Sequence, residues 1–110
     1  MKFEIFKSEK NEKYYFNLKA KNGQIILSSQ GYAQRAGAKN GIDSCRTNCG
    51  DDSCYETKEA ANGKVYFNLL AKNSQVIGKS QMYASKSGMQ NGIESVKTNA
   101  PDAEVVDLSA

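Results

Sequence analysis

The chain contains one unit of sequence twice. The segment from Tyr15 to Asn48 returns at Tyr66 to Asn99, shifted by 51 positions without a gap, and 20 of the 34 aligned residues are identical. A unit of roughly fifty residues is too small to bury its own apolar face, so two copies are expected to share one core. We therefore predict a single domain over residues 1–110, made of repeat one (1–53) and repeat two (54–110).

Alternation of apolar and polar residues predicts three strands at the start of each repeat. Residues 14–20 alternate strictly, which is typical of a strand with one buried face. Asn22-Gly23 follows and predicts a two-residue type I′ turn, because that turn needs positive φ at both central residues. Such a turn would pair Ala20 with Ile25 in an antiparallel hairpin.

Repeat two departs from this plan at three places. Ser74 stands in the turn where repeat one has glycine, and Gly78 stands where repeat one has Leu27. These changes predict a looser hairpin in repeat two. On the outer face, Leu70 beside Ile77 predicts an exposed apolar pair that either meets another element or forms a small sticky patch.

After the third strand the apolar period changes from two residues to 3.6, which predicts one amphipathic helix per repeat. The helices are expected over Ala33–Asn48 and Ala84–Asn99, and two glycines inside each indicate close packing against the strands. Val105-Val106 would form a closing strand. By the same offset, Cys54–Lys58 should both close repeat one and open repeat two. The fold class is therefore α+β, with one mainly antiparallel sheet and two helices on one face.

Several sequence segments resemble the YegP-like tandem-repeat family, whose function is unknown. They are Tyr66-Phe67-Asn68-Leu69, Ala71-Lys72-Asn73, Asn91–Val96 and Asn99–Ala103. The resemblance implies two β-β-β-α-β units merged into one sheet, with the closing strand of each copy exchanged onto the other. It also implies that single-copy members dimerise, so the tandem chain is expected to be a monomer. Repeat one departs from the family pattern at Cys49–Ser53, where the proline segment is replaced.

Composition argues against several classes of function but does not identify one. The net charge of +3, from 15 basic and 12 acidic residues, is too small to indicate a nucleic-acid or membrane partner. Met1–Lys10 has no apolar run, so we expect neither a signal peptide nor a membrane anchor. Three cysteines, an odd number, favour a reducing compartment and hence the cytoplasm. Histidine is absent, which removes the commonest general base and metal ligand.

The cysteines allow two interpretations. Cys45 and Cys49 lie one helical turn apart and Cys54 follows, so a redox pair, or a soft-metal site completed by Asp51 or Asp52, is one alternative. The spacing matches no CxxC motif, and two of the three cysteines align with valines of repeat two. We favour burial as small apolar groups. No metal and no cofactor is predicted.

The outer sheet face is the first candidate contact surface. Tyr15 and Tyr66 would lie there among basic residues, including Lys19 and Lys21. Aromatic and basic side chains on a sheet are a common way to hold single-stranded nucleic acid. The other interpretation is an ordinary solvated face, because half of the positions of a one-sided strand must point outward.

The connection from the third strand to the helix is the second candidate. A cation near a helix N-terminus suits a small anion, although capping and packing explain the same residues. The residues are Ser29, Tyr32 and Arg35 in repeat one, and Ser80, Tyr83 and Lys86 in repeat two.

The sequence thus predicts a small cytoplasmic protein that is not an enzyme and acts as an interaction or small-ligand-binding module. The partner is not defined by the sequence. Nucleic-acid binding through the outer sheet face is the alternative. An enzyme or thiol redox protein ranks third, because no paired carboxylates and no nucleophile with a base are recognisable.

Overall fold

The computed structural model describes residues 1–109, and Ala110, the last residue assigned to repeat two, lies outside them. The described residues form seven strands and two α-helices. The strands are β1 (Lys2–Lys7), β2 (Tyr14–Lys19), β3 (Ile25–Ser29), β4 (Tyr55–Glu59), β5 (Val65–Leu70), β6 (Val76–Ser80) and β7 (Glu104–Asp107). The helices are α1 (Arg35–Asn48) and α2 (Lys86–Asn99), and short 3-10 turns at Asp52–Cys54 and Ala100–Asp102 lead into β4 and β7.

All seven strands belong to one sheet, in the order β4-β5-β6-β3-β2-β1-β7. Every neighbouring pair is antiparallel except β1 and β7, which are parallel. The closing strand β7 of repeat two lies beside β1 of repeat one, and β4 lies beside β5 of repeat two. The merged sheet with exchanged closing strands is therefore confirmed.

The two repeats meet at the β3–β6 pair. Ser28 pairs there with Lys79, which is its equivalent in repeat two, so a pseudo-twofold axis passes between them. Beside this axis Gly78 is buried, and a Cβ on it would come within 2.7 Å of Cγ of Leu27. Leu27 fills the space that the glycine leaves, and the looser hairpin at Gly78 stays a prediction.

The turn between β2 and β3 differs from the prediction. The Gly23 N–H donates to the Ala20 carbonyl (3.0 Å), and the Ala20 N–H donates to the Gln24 carbonyl (2.9 Å). Gly23 has a φ of +84°, whereas Asn22 does not have a positive φ. The loop therefore has three residues, a type I turn followed by a left-handed residue, and the two-residue type I′ turn was wrong. The Asn22 side chain accepts the Gln24 N–H (3.0 Å), which stabilises this alternative.

The longer loop changes the register at the ends of both hairpins. Lys19, rather than Ala20, pairs with Ile25, and the chain bulges at Ile26. Ile26 and its equivalent Ile77 are only 7% and 4% exposed, and both belong to the core. The exposed apolar pair predicted to include Ile77 was therefore wrong.

Both helices lie on one face of the sheet and end where the sequence predicted, although each begins two residues later. Their close contacts are made to tyrosines of the strand–helix connections. A Cβ on Gly41 would come within 2.5 Å of Tyr32 Oη, and one on Gly92 within 2.7 Å of Tyr83 Cζ. Gly41 and Gly92 therefore allow tyrosine rings, rather than the strand backbones, to approach the helices closely. The largest side chains beneath the helices are fully buried: Phe3, Phe16, Phe67, Ile5, Leu18, Leu27 and Leu69.

Candidate functional site

One row of polar side chains crosses the sheet face opposite the helices. In register order it contains Glu4, Asn17, Ser28, Lys79, Asn68 and Glu56. The Ser28 hydroxyl donates to Asn17 Oδ1 (2.9 Å), and Asn68 Nδ2 donates to Glu56 Oε1 (3.1 Å). Much of the hydrogen-bonding capacity of this row is thus used within the sheet.

The basic residues of the outer face are largely paired. Lys19 Nζ lies 2.8 Å from Glu4 Oε1, and Lys2 Nζ lies 3.3 Å from the other oxygen of this carboxylate. The hydrogen bond from Lys19 holds the pKa of Glu4 below its usual value. Lys79 instead lies over the Tyr66 ring, with Nζ 4.6 Å from the ring centroid. Lys21 is exposed in the β2–β3 turn.

The two predicted aromatic contacts are far apart. Tyr15 stacks on Phe6 with ring centroids 5.7 Å apart, and its hydroxyl accepts a hydrogen bond from Asn11 Nδ2 (2.8 Å). Two strands, β3 and β6, separate it from Tyr66. At the usual strand spacing this is about 14 Å, so the rings do not form one continuous platform.

The serines and tyrosines of the strand–helix connections have structural roles. Ser29 Oγ accepts the Phe16 N–H (2.9 Å) and donates to the Gln30 carbonyl (2.8 Å), and Ser80 makes the equivalent bonds in repeat two. Tyr32 is partly buried, and burial raises the pKa of its hydroxyl. The equivalent Tyr83 Oη is buried without a hydrogen-bond partner among the described residues. Anion binding at these connections stays a prediction.

The equivalent residues Arg35 and Lys86 differ in their contacts. Arg35 Nε lies 3.4 Å from Asp107 Oδ2 and donates to Ser109 Oγ (3.1 Å), so this side chain fastens the end of β7 to α1. Hydrogen bonds from Ser109, together with Arg35, hold the pKa of Asp107 below its usual value. Lys86 is exposed at the start of α2, and within residues 1–109 no carboxylate lies within ion-pair distance of it.

The three cysteines are buried and not disulfide-bonded. Burial raises the pKa of the Cys45 thiol to about 12 and also raises the pKa of the Cys49 thiol. Because the thiolate is the reactive form, this environment opposes redox or nucleophilic chemistry. Asp51 is paired with Lys72 (2.5 Å), which lowers its pKa to about 2. Over residues 1–109 the structure has no group of three His, Cys, Asp or Glu side chains able to hold a metal ion.

A feature that the sequence analysis did not single out is the outer edge of β4. Strand β4 occupies the same place in repeat two as β1 does in repeat one, since each pairs with the strand that follows it. The side chains repeat as well. Phe3 packs edge-on against Phe16 and Tyr55 against Phe67, both with centroids 5.7 Å apart. The outer side of β1 is covered by β7, whereas no strand of residues 1–109 pairs with the outer side of β4.

The cause is the double role of β4, which closes repeat one and opens repeat two. A chain of two repeats therefore has one closing strand fewer than two complete units would have. The signal was present in the sequence, because Cys54–Lys58 aligns with both the opening and the closing strand. The missing neighbour could have been predicted from that alignment.

Backbone groups on this edge point outward. The Phe67 N–H donates to Ser80 Oγ on β6 (2.9 Å), so the Phe67 backbone faces away from β4. Its register partner Thr57 must then direct its N–H and C=O to the outer side, as in any antiparallel pair that is not hydrogen-bonded. The equivalent residue of β1 is Ile5, and its carbonyl accepts the Leu108 N–H at 2.8 Å.

A groove runs between this edge and helix α2. It consists of two depressions of about 330 and 290 Å³ that meet at Thr57. We call it the β4–α2 groove and define it by Tyr55, Thr57, Lys86, Gln90, Ile93 and Lys97. Lys97 is engaged at one end, where it pairs with Asp52 and lies over the Tyr55 ring. An edge with free backbone groups beside a lined groove is able to take up an extended peptide.

The architecture defines a class of protein: a duplicated α+β domain in which two β-β-β-α units share one sheet and one core. A family model described as a domain of unknown function, DUF1508, matches the chain twice, over residues 9–56 and 60–107. The chain therefore belongs to the DUF1508 family, and the resemblance seen in the sequence is confirmed. The division at residue 53 stays a prediction.

Relatives and solved structures agree with this assignment. The chain is 49% identical to the UPF0339 protein in the ptx operon 5′ region of Stutzerimonas stutzeri, over 96% of this chain and 95% of that one. It is 48% identical to the UPF0339 protein YegP of Escherichia coli K12, over 96% and 94%. The solution structure of yegP from E. coli, a protein of unknown function, superposes with a TM-score of 0.92 at 45% identity, covering 99% of this chain and 93% of that one. The structure of UPF0339 protein SO3888 from Shewanella oneidensis gives 0.91 at 44% identity, covering 98% and 91%. Among residues 1–109, neither helix has the length and apolar character needed to cross a membrane.

Proposed function

We propose that this protein is a cytoplasmic, non-enzymatic interaction module that binds an extended segment of a partner protein as an added strand on β4. The observation that carries the proposal is the contrast between equivalent edges: Ile5 of β1 bonds to the segment that follows β7, whereas Thr57 of β4 presents its backbone groups to solvent. The molecule therefore already binds an added strand at the equivalent edge of repeat one, where β7 of its own chain pairs with β1.

The character of the rest of the molecule supports a non-catalytic role. The three thiols are buried, burial raises the pKa values of Cys45 and Cys49, and the carboxylates with shifted pKa values lie in surface ion pairs or hydrogen bonds. Free buried thiols also suit the reducing cytoplasm.

The charges on β4 suit a selective edge. Glu56, Lys58 and Glu59 are exposed along the strand, and charged side chains on an edge discourage indiscriminate pairing between copies. A monomer that accepts a matching partner segment is consistent with this pattern. Main-chain hydrogen bonds would supply affinity, and the β4–α2 groove would supply selectivity.

Selection from a displayed library of random peptides tests the proposal. Peptides enriched on the wild-type chain are measured against Thr57→Pro, which removes the outward N–H, and against Thr57→Ala, which keeps it. Proline is tolerated on an edge strand when its nitrogen faces solvent, so the fold should persist. We expect Thr57→Pro to weaken binding about tenfold and Thr57→Ala to change it less than about twofold. Equal binding to the proline variant, or no enrichment, would refute the proposal.

A further inference from the structure

The contacts that β7 makes beside β1 indicate which side chains a partner segment needs in the β4–α2 groove. This inference rests on the proposed function. Val105 pairs with Phe3 and Asp107 with Ile5, in parallel. Since Phe3 and Ile5 face the helices, Val105 and Asp107 share that side. Val105 lies against α1 in a depression that Ile42 also lines, and Asp107 pairs with Arg35.

The groove beside β4 repeats these contacts with other residues. Tyr55 stands in the place of Phe3, because each pairs with equivalent leucines of the next strand. Ile93 and Lys86 are the equivalents of Ile42 and Arg35. Tyr55 and Ile93 line one depression of the groove, and Thr57 and Lys86 line the other.

We propose that the partner segment runs parallel to β4 and carries an apolar residue followed two positions later by an aspartate or glutamate. The apolar side chain lies opposite Tyr55, against Ile93. The acidic side chain lies opposite Thr57, where Lys86 pairs with it as Arg35 pairs with Asp107. Lys86 has no carboxylate within ion-pair distance in residues 1–109, so the partner's acidic side chain supplies the second member of this ion pair.

Contacts just before β7 and β4 indicate where the added strand begins. In β7, Arg46 donates to the Ala103 carbonyl just before the strand begins. In repeat two the equivalent Lys97 already pairs with Asp52, which is the equivalent of Ala103. The space before Tyr55 is therefore occupied by the chain itself, and the partner segment begins opposite Tyr55.

A peptide with the chain's own sequence from Asp102 to Ser109, with a nitroxide label attached through an amide to its N-terminus, is the probe. It is titrated into the full-length ¹⁵N-labelled protein. We expect amide shifts along β4 and α2, with line broadening greater at Tyr55 than at Glu59. The reverse gradient would mean antiparallel pairing and would overturn the orientation. Shifts confined to Lys2–Lys7 would mean exchange with β7 and would overturn the site.

Charge reversal tests the acidic contact. Lys86→Glu should weaken the peptide about fivefold, since the ion pair is replaced by repulsion, and a peptide with Asp107→Lys should regain affinity for that variant. Lys10→Glu is the matched control, because this exposed turn lysine lies in repeat one, and it should change affinity less than about twofold. If Lys86→Glu has no effect while Thr57→Pro abolishes binding, this inference fails and the proposed function stands. If Thr57→Pro also has no effect, both fail.

Discussion

Substitution of Gly92 by alanine tests the close packing of α2 on the Tyr83 ring. A Cβ at Gly92 would overlap Tyr83 Oη, lie 2.7 Å from Cζ and come within 3.4 Å of Phe67 Cε1. The ring cannot retreat freely, because Tyr83 stacks on Phe67 with centroids 6.3 Å apart. Gly88 on the same helix is the matched control, since its added Cβ would meet only ordinary contacts at 3.4 and 3.6 Å.

The expected free energies follow from two opposing effects. Alanine is favoured over glycine inside a helix by roughly 1 kcal/mol, whereas overpacking a filled core costs about 1–3 kcal/mol. Gly92→Ala should therefore lower the free energy of unfolding by about 0–2 kcal/mol. Gly88→Ala should raise it by about 0.5–1 kcal/mol, because only the propensity changes.

A second substitution separates the clash from other effects. Tyr83→Phe removes the hydroxyl that the new methyl group would strike, and this hydroxyl is buried without a partner among the described residues. Tyr83→Phe alone should stabilise the protein by about 1 kcal/mol. In the Gly92→Ala background it should stabilise the protein by more, because it also removes the clash with the new methyl group.

Urea unfolding, monitored by far-UV circular dichroism, gives each difference in the free energy of unfolding from the shift of the transition midpoint. Gly92→Ala, Tyr83→Phe and the double variant form a double-mutant cycle with the wild type, and Gly88→Ala is measured beside it. If Gly92→Ala stabilises the protein as much as Gly88→Ala does, the argument that glycine is needed for the ring to approach the helix is refuted.

Three further predictions concern the turn, the thiols and the outer face. Ser74 has a φ of 70°, so Ser74→Gly should stabilise the protein by about 0.5–1 kcal/mol in the same urea assay, and an unchanged midpoint would contradict the turn assignment. Burial raises the pKa of the Cys45 thiol from 9.0 to about 12. Its stabilising contribution is therefore complete below pH 9 and is lost as the pH rises towards 12. This thiol should lower the free energy of unfolding by up to about 1.4 kcal/mol per pH unit in that window, and Cys45→Val should have a shallower dependence. Because Glu4 pairs with both Lys2 and Lys19, oligo(dT) should bind only weakly at low salt in fluorescence anisotropy, and tight binding with a steep salt dependence would restore the nucleic-acid alternative.

The elements of the fold were predictable because each depends on local pattern. Strict alternation in residues 14–20 and the helical period after Ala33 and Ala84 gave strands and helices close to those observed. The turns were predicted less well. Asn22-Gly23 was interpreted as a two-residue turn, but the Asn22 side chain binds the backbone two residues on and selects a three-residue loop.

The candidate sites were the least predictable part. Ser29 and Ser80, which were predicted as ligand contacts, accept hydrogen bonds from the backbone of the neighbouring strand. Arg35 and Lys86 looked equivalent, yet only Arg35 pairs with a residue of β7. Such differences depend on which strand lies beside which, and no short-range pattern contains that information.

The duplication by itself determined that two equal units would share one core, because neither copy carries enough apolar surface to fold alone. Only the tertiary structure decided that Thr57 directs its backbone groups outward, and that Arg35 pairs with Asp107 whereas Lys86 has no carboxylate within ion-pair distance among residues 1–109. The physical reason is that strand pairing joins residues far apart in sequence. The sequence supplies the hydrogen-bonding groups, and the arrangement of the whole sheet decides which of them are left free.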